Sequence, residues 1–164
     1  MSVRYYSMLV FIMGLLVFFS GCSTIFKEPV ITVSDIAIDD ISAGDITLNV
    51  TLSIDNPNFF GVTLDEIVCN LSYLKGSDEW APLSSVRKDN ITINTGMNTV
   101  SIPVYAKNID LVKAGIRSLL SGELTVKATG YAKPSFLGFS PAIPFSQTQT
   151  IKMENPVSNI LNQV

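Results

Sequence analysis

From Asp45 to Asp55 apolar and polar residues alternate without a break. Ile46, Leu48, Val50, Leu52 and Ile54 fall on one side, and Thr47, Asn49, Thr51, Ser53 and Asp55 on the other. A two-residue period belongs to a strand with one dry face and one wet face. Burying five aliphatic side chains stabilises a fold by about 1.5–3 kcal/mol each, which marks this stretch as a central strand. Asn56-Pro57-Asn58 then ends it. Pro57 has no N–H for a ladder, and its ring restricts the residue before it. The short polar side chains of Asp55, Asn56 and Asn58 can hydrogen-bond nearby backbone and hold a turn.

Similar patterns recur on both sides. Val30–Ile41 reads as a first strand with Val33, Ile36, Ile38 and Ile41 inward and an irregularity near Asp35. Val62–Leu74 is a third extended stretch, closed by a hairpin turn over Lys75–Glu79. Trp80–Ser85 fits a short strand or edge, and Ile91 and Ile93 start another, broken at Asn94–Asn98. Val100, Ile102 and Val104 alternate again, and Pro103 among the outward residues predicts an edge strand. Glu123–Tyr131 carries Leu124, Val126, Ala128 and Gly130 on one side. Lys133–Pro144 reads as a long, proline-punctuated loop, and Phe145–Met153 as the last strand. One helical pattern interrupts this order over 109–121, where Ile109, Val112, Ile116, Leu119 and Leu120 share a face. Asn108 or Asp110 can cap its start, and Gly122 suits its end. About seven short strands with turns between them predict an all-β, antiparallel two-sheet sandwich with one short helix.

The N-terminal residues follow a different logic. Arg4 precedes an uncharged apolar run, Met8–Phe19, that is short for a membrane-crossing helix of about 20 residues and suits a signal-peptide core. Phe19-Ser20-Gly21-Cys22 resembles the lipobox of prokaryotic lipoproteins. The resemblance implies a signal peptide over 1–21, cleavage before Cys22 and a lipid on its sulfur. Residues 22–29 then form the lipidated N-terminus and tether, 30–153 the folded domain and 154–164 a C-terminal tail. An uncut signal anchor is the alternative, and either arrangement puts the bulk of the chain outside the cytoplasm. Two hydrocarbon chains, at about 0.8 kcal/mol per buried CH₂, hold a soluble domain on a membrane. With Cys22 lipidated, Cys69 has no disulfide partner, and its less polar neighbours make it a small buried hydrophobe.

Composition narrows the chemistry. The chain has no histidine, which removes the commonest general base and metal ligand. Net charge is −3 with no basic cluster, so nucleic acid is not an expected partner. Asp39-Asp40 and Asp65-Glu66 are adjacent pairs, and strand neighbours point to opposite faces, so neither makes an acid/base dyad. Asp55, Asn56, Asn58 and Asp65 are the best oxygen set for calcium, and a solvated turn explains them better. The expectation is therefore no metal, no cofactor and no enzyme. Asn49, Asn70 and Asn90 each begin an N-glycosylation pattern on expected wet faces or loops. Phe136, Leu137, Phe139, Ile143 and Phe145 cluster around the long loop, either capping the sandwich or lining an apolar groove for a lipid tail or partner chain.

Taken in order, these features resemble the WHy domain (water stress and hypersensitive response), the type 2 late-embryogenesis-abundant family. Asp55-Asn56-Pro57-Asn58 stands where that family has its Asn-Pro signature. Tyr73 precedes a glycine turn at Gly76, a second turn centres on Gly96, a Leu-rich helix ends at Gly122, and strands run through Gly130 to Pro144-Phe145-Ser146. The resemblance covers about residues 30–153. It implies an immunoglobulin-like or fibronectin-III-like sandwich without catalytic residues and a role in desiccation and stress tolerance. With Cys22 it implies a membrane-anchored protective module at the cell envelope, bound through lipid and contacting lipids or destabilised proteins. A carrier or chaperone for an apolar ligand, and a structural envelope subunit pairing through an edge strand, are the alternatives.

Overall fold

The computed structural model describes residues 26–41, 45–75, 78–107 and 122–152. These form seven strands: β1 Val30–Ile41, β2 Asp45–Asn56, β3 Val62–Leu74, β4 Trp80–Ile93, β5 Gly96–Lys107, β6 Glu123–Ser135 and β7 Ile143–Lys152. All pairings are antiparallel. One sheet has the order β1-β2-β5 and the other β4-β3-β6-β7. The described residues are thus a β-sandwich.

The alternation over Asp45–Asp55 builds the middle of the first sheet. Ile46, Leu48, Val50, Leu52 and Ile54 of β2 are all fully buried. They face Leu64, Ile67, Leu71 and Tyr73 of β3 and Leu124, Val126, Ala128 and Ala132 of β6 in one core. The irregularity expected near Asp35 is a bulge, with the register slipping between Val33 and Asp35. A second slip lies between Leu64 and Glu66. In both places two polar residues separate two buried aliphatic ones, and the bulge lets both aliphatic side chains reach the core.

Two expectations change. The break after Ser85 is absent: β4 runs unbroken for 14 residues, through Val86-Arg87-Lys88-Asp89-Asn90. Those charges interrupt the apolar pattern because β4 is an edge strand, where charged side chains such as the exposed Arg87 and Asp89 discourage pairing with other chains. The loop over 133–144 is also shorter than expected. Lys133, Pro134 and Ser135 finish β6, and Pro144 belongs to β7, an edge strand where a missing N–H is tolerated. Pro103 likewise lies on an edge strand, β5. The helix expected over 109–121, the Ile41 side chain, residues 1–25 and the tail over 154–164 lie outside the described residues.

Side chains stitch both seams between the sheets. Gln149 of β7 accepts from the Ile36 N–H (3.0 Å) and donates to the Ile36 carbonyl (3.2 Å) and to Asp35 Oδ1 (3.1 Å), replacing strand partners at the β1 bulge. Opposite, Ser84 Oγ donates to the Tyr105 carbonyl (2.7 Å) and Lys88 Nζ to the Ser101 carbonyl (2.8 Å), which occupies acceptors of β5.

The register assigns every connection to one of two ends. Val30, Asn56, Val62, Ile93, Gly96, Ser135 and Ile143 lie at one, and the strands leave for residues 42–44, 75–79, 108–121 and 153 onward at the other. β2 spans between them, about 36 Å at ~3.3 Å per residue. The described chain enters with Phe26 at the first end.

Candidate functional site

The first end holds both features singled out above, the Asn-Pro-Asn motif and the aromatic cluster. Asn56 and Asn58 are the only buried polar side chains among the described residues. Burial of an amide is costly unless every polar atom is partnered, and here the partners are complete. Asn56 Nδ2 donates to the carbonyls of Phe60 (2.9 Å) and Asn94 (3.1 Å). Its Oδ1 accepts from the Asn58 N–H (3.2 Å) and from Asn58 Nδ2 (2.8 Å). Asn58 then grips the entering chain: its Oδ1 accepts from the Lys27 N–H (2.8 Å) and its Nδ2 donates to the Lys27 carbonyl (2.7 Å). The motif is more than a turn. It latches the end of β2 to the β4–β5 connection and to the segment before β1. Asp55 and Pro57 are exposed flanks of this latch.

The latch positions an aromatic stack. Phe136 lies between Phe26 (ring centroids 4.7 Å) and Phe60 (5.4 Å), nearly parallel to both, and Phe59 meets Phe60 edge-on at 5.0 Å. Such pairs contribute about 0.5–1.5 kcal/mol each beyond buried area. From this base projects the turn Phe136-Leu137-Gly138-Phe139, closed by two backbone hydrogen bonds of 2.9 and 2.8 Å. Both central residues have positive φ, +48° at Leu137 and +82° at Gly138. Glycine adopts that backbone freely, whereas a leucine is strained there by about 1–2 kcal/mol. Leu137 and Phe139 are nonetheless exposed, as is Phe59. Of the residues expected on an apolar surface, Leu137 and Phe139 are there and Phe136 supports them. Phe145 instead belongs to the core, where its ring covers Gly130. Phe26, Phe59 and Phe60 complete the cluster. The run Phe59-Phe60 beside the Asn-Pro-Asn turn was the signal for two of them, and no local pattern marked Phe26.

The most polar cluster lies elsewhere, on the outer face of the four-stranded sheet. Glu66 accepts from Lys133 Nζ (3.0 Å) and Tyr131 Oη (3.0 Å) and pairs with Arg87 (3.2 Å), which also holds Asp89 (2.8 Å). The Lys133 hydrogen bond, with smaller help from Tyr131 and Arg87, holds the Glu66 carboxyl below its ordinary range against the opposing effect of desolvation. A carboxylate saturated with donors is a poor base. Asp65, the extra residue at the β3 bulge, is exposed and accepts from Ser140 Oγ (3.1 Å). Among the described residues no group of three or more His, Cys, Asp or Glu could hold a metal ion. Cys69 is fully buried, and desolvation pushes its thiol up to about 11, as for an inert core residue. Asn49 and Asn70 sit on outer sheet faces, each accepting from a serine across the ladder, Ser101 (2.6 Å) and Ser85 (2.7 Å). Asn90 is exposed on β4 in the left-handed region. Cys22 lies outside the described residues.

Comparison with known proteins places this geometry. The family model "Late embryogenesis abundant protein" matches residues 51–149. An uncharacterized protein of Methanocaldococcus jannaschii is 31% identical over 116 residues, covering 71% of this chain and 64% of its own. A second from the same organism is 33% identical over 104 residues, covering 62% of this chain and 22% of its own. The chain therefore spans less than two thirds of either relative. Among solved structures, a protein of Arabidopsis thaliana superposes with a TM-score of 0.59 at 12% identity, covering 81% of this chain and 89% of that one. A solution structure described as a late embryogenesis abundant protein gives 0.56 at 14% identity, covering 92% and 85%. A protein of Archaeoglobus fulgidus gives 0.53 at 5% identity, covering 78% and 97%. At these identities the structures speak for the shared fold.

Proposed function

This chain belongs to the late embryogenesis abundant protein family, type 2, and from that premise we propose that it is a non-catalytic, membrane-anchored protective module of the cell envelope, acting when water is scarce. The observation that carries the reading is the closed core. Aliphatic residues fill it from both sheets, and among the described residues no buried side-chain nitrogen or oxygen lacks a hydrogen-bond partner. A fold whose buried side-chain polar groups are satisfied by protein has less need of internal water. The anchor is Cys22, five residues before Lys27, whose backbone Asn58 holds.

Two experiments test the proposal. Cys22→Ser should release the protein from membranes or leave its signal uncut, and unchanged processing and fractionation would refute lipidation. A deletion strain should recover from drying less well than its parent, and equal recovery would refute the protective role. A second reading, a carrier for an apolar ligand, is favoured by the exposed Phe59, Leu137 and Phe139. Native mass spectrometry after gentle extraction separates the two. A co-purifying lipid supports the carrier, and a clean apo mass removes it.

A further inference from the structure

Six large apolar side chains are well exposed among the described residues, and five of them lie at the Phe26 end: Val30 (59%), Phe59 (86%), Met97 (70%), Leu137 (90%) and Phe139 (61%). The sixth, Tyr105, pairs with Thr47 near the opposite end. Scattered apolar residues need no explanation, but five gathered at one end do. The end is also built to hold them out. Phe59, Leu137 and Phe139 project from the Phe26-Phe136-Phe60 stack and a doubly hydrogen-bonded turn. A soluble tip would carry asparagine or glycine where Leu137 has positive φ.

The chain's own layout says what covers this end. The described residues begin here, at Phe26, and the Asn58–Lys27 pair fixes the entry. Cys22 is four residues upstream, a reach of at most about 14 Å. A lipid on Cys22 therefore brings this end, not the one about 36 Å away, against the membrane. Exposed charges here are of both signs, Lys27, Glu28 and Asp55, so attraction depends on apolar contact rather than on anionic headgroups.

We infer that the Phe26 end of the sandwich is a bilayer-docking surface, with Phe59, Leu137 and Phe139 inserted at the boundary between headgroups and acyl chains. The inference rests on the anchor at Cys22 proposed above. It adds an orientation: the strands stand end-on, and the opposite end points away from the membrane.

The test uses full-length protein purified from membranes and reconstituted into phosphatidylcholine vesicles with and without brominated acyl chains. Trp80, the only tryptophan, lies at the far end opposite Leu74 and reports there in the parent chain. A Trp80→Phe/Phe139→Trp variant moves the indole to the docking end. Both proteins should float with the vesicles. The indole at position 139 should emit to the blue and lose most of its emission to brominated lipid, at low and high salt alike, while Trp80 emission stays unchanged. Flotation without quenching at position 139 would overturn docking and leave the anchor standing. Blue emission that brominated lipid does not quench would overturn it in favour of cover by the chain's own apolar segment. Failure to float would overturn both docking and the anchor. A circular dichroism spectrum matching the parent confirms that the variant is folded.

Discussion

Asn56→Ala should remove the latch from its centre. The substitution deletes four hydrogen bonds: two donated by Nδ2 to the Phe60 and Asn94 carbonyls and two accepted by Oδ1 from Asn58. They do not count equally. The Asn94 carbonyl keeps Asn98 Nδ2 (2.8 Å), and Asn58 Nδ2 keeps the Lys27 carbonyl (2.7 Å). Two groups are left without these partners, the Phe60 carbonyl and the Asn58 N–H, and a polar group stranded in a buried site costs about 1–3 kcal/mol. The expected loss is about 3 kcal/mol, or about 1.5 M in the urea midpoint at an m-value of ~2 kcal/mol/M. Asn56→Asp sharpens the test. It keeps the shape, but an ionised carboxylate would face two carbonyls and lose both donors. Its folded pKa is then raised above the unfolded value near ~3.9, so the variant should be most stable below that value and lose stability as pH rises towards neutrality. Urea unfolding of a chain starting at Ser23, followed by circular dichroism at acid and neutral pH, reads both effects. An Asn56→Ala midpoint within about 0.3 M of the parent, at the same ~2 kcal/mol/M, would mean that water replaces the latch without cost and that the reasoning fails.

Further expectations follow from other parts of the fold. Gly130→Ala should unfold the domain or lower its melting temperature sharply, because a Cβ there would collide with the Val68 carbonyl and come within 2.7 Å of the Phe145 ring; a parent-like melt refutes this. Glu66 has a lowered folded pKa, so its contribution is present above the unfolded carboxylate value and is lost as pH falls through the folded one. Glu66→Gln should therefore lower the urea midpoint at pH 7 and have little effect well below the carboxylate range; an equal difference at both pH values would contradict the assignment. Cys69, with its thiol raised to about 11, should react with a thiol reagent in urea but not in the native protein, and fast native labelling would show that its strand opens.

Where one strand face is buried and the other wet, the sequence is easily read. β1 and β3 have the ends their patterns predict, and the β1 bulge showed as two polar residues where one was due. β4 was obscured because its middle is charged: Arg87 and Asp89 face water on a sheet edge, and the half-buried Lys88 reaches across the seam to the Ser101 carbonyl where an apolar residue was due. The end of β6 was obscured by Pro134, which local rules read as loop. At the candidate site, Asn-Pro-Asn was recognisable as a turn signal, but its grip on Lys27 and Asn94 was not. Those partners are 31 and 38 residues away from the asparagines that hold them, a separation no local pattern encodes. Phe145 shows the same limit: it sits beside exposed aromatics in sequence, yet strand alternation turns it into the core.

A β-sandwich tied to a membrane through its N-terminus is tested most directly by the intact mass of the mature protein. Mass spectrometry of the membrane fraction should find a chain that begins at Cys22, heavier than its sequence by a lipid modification. An unmodified chain that still carries residues 1–21, or one cut elsewhere with a free Cys22, would contradict it.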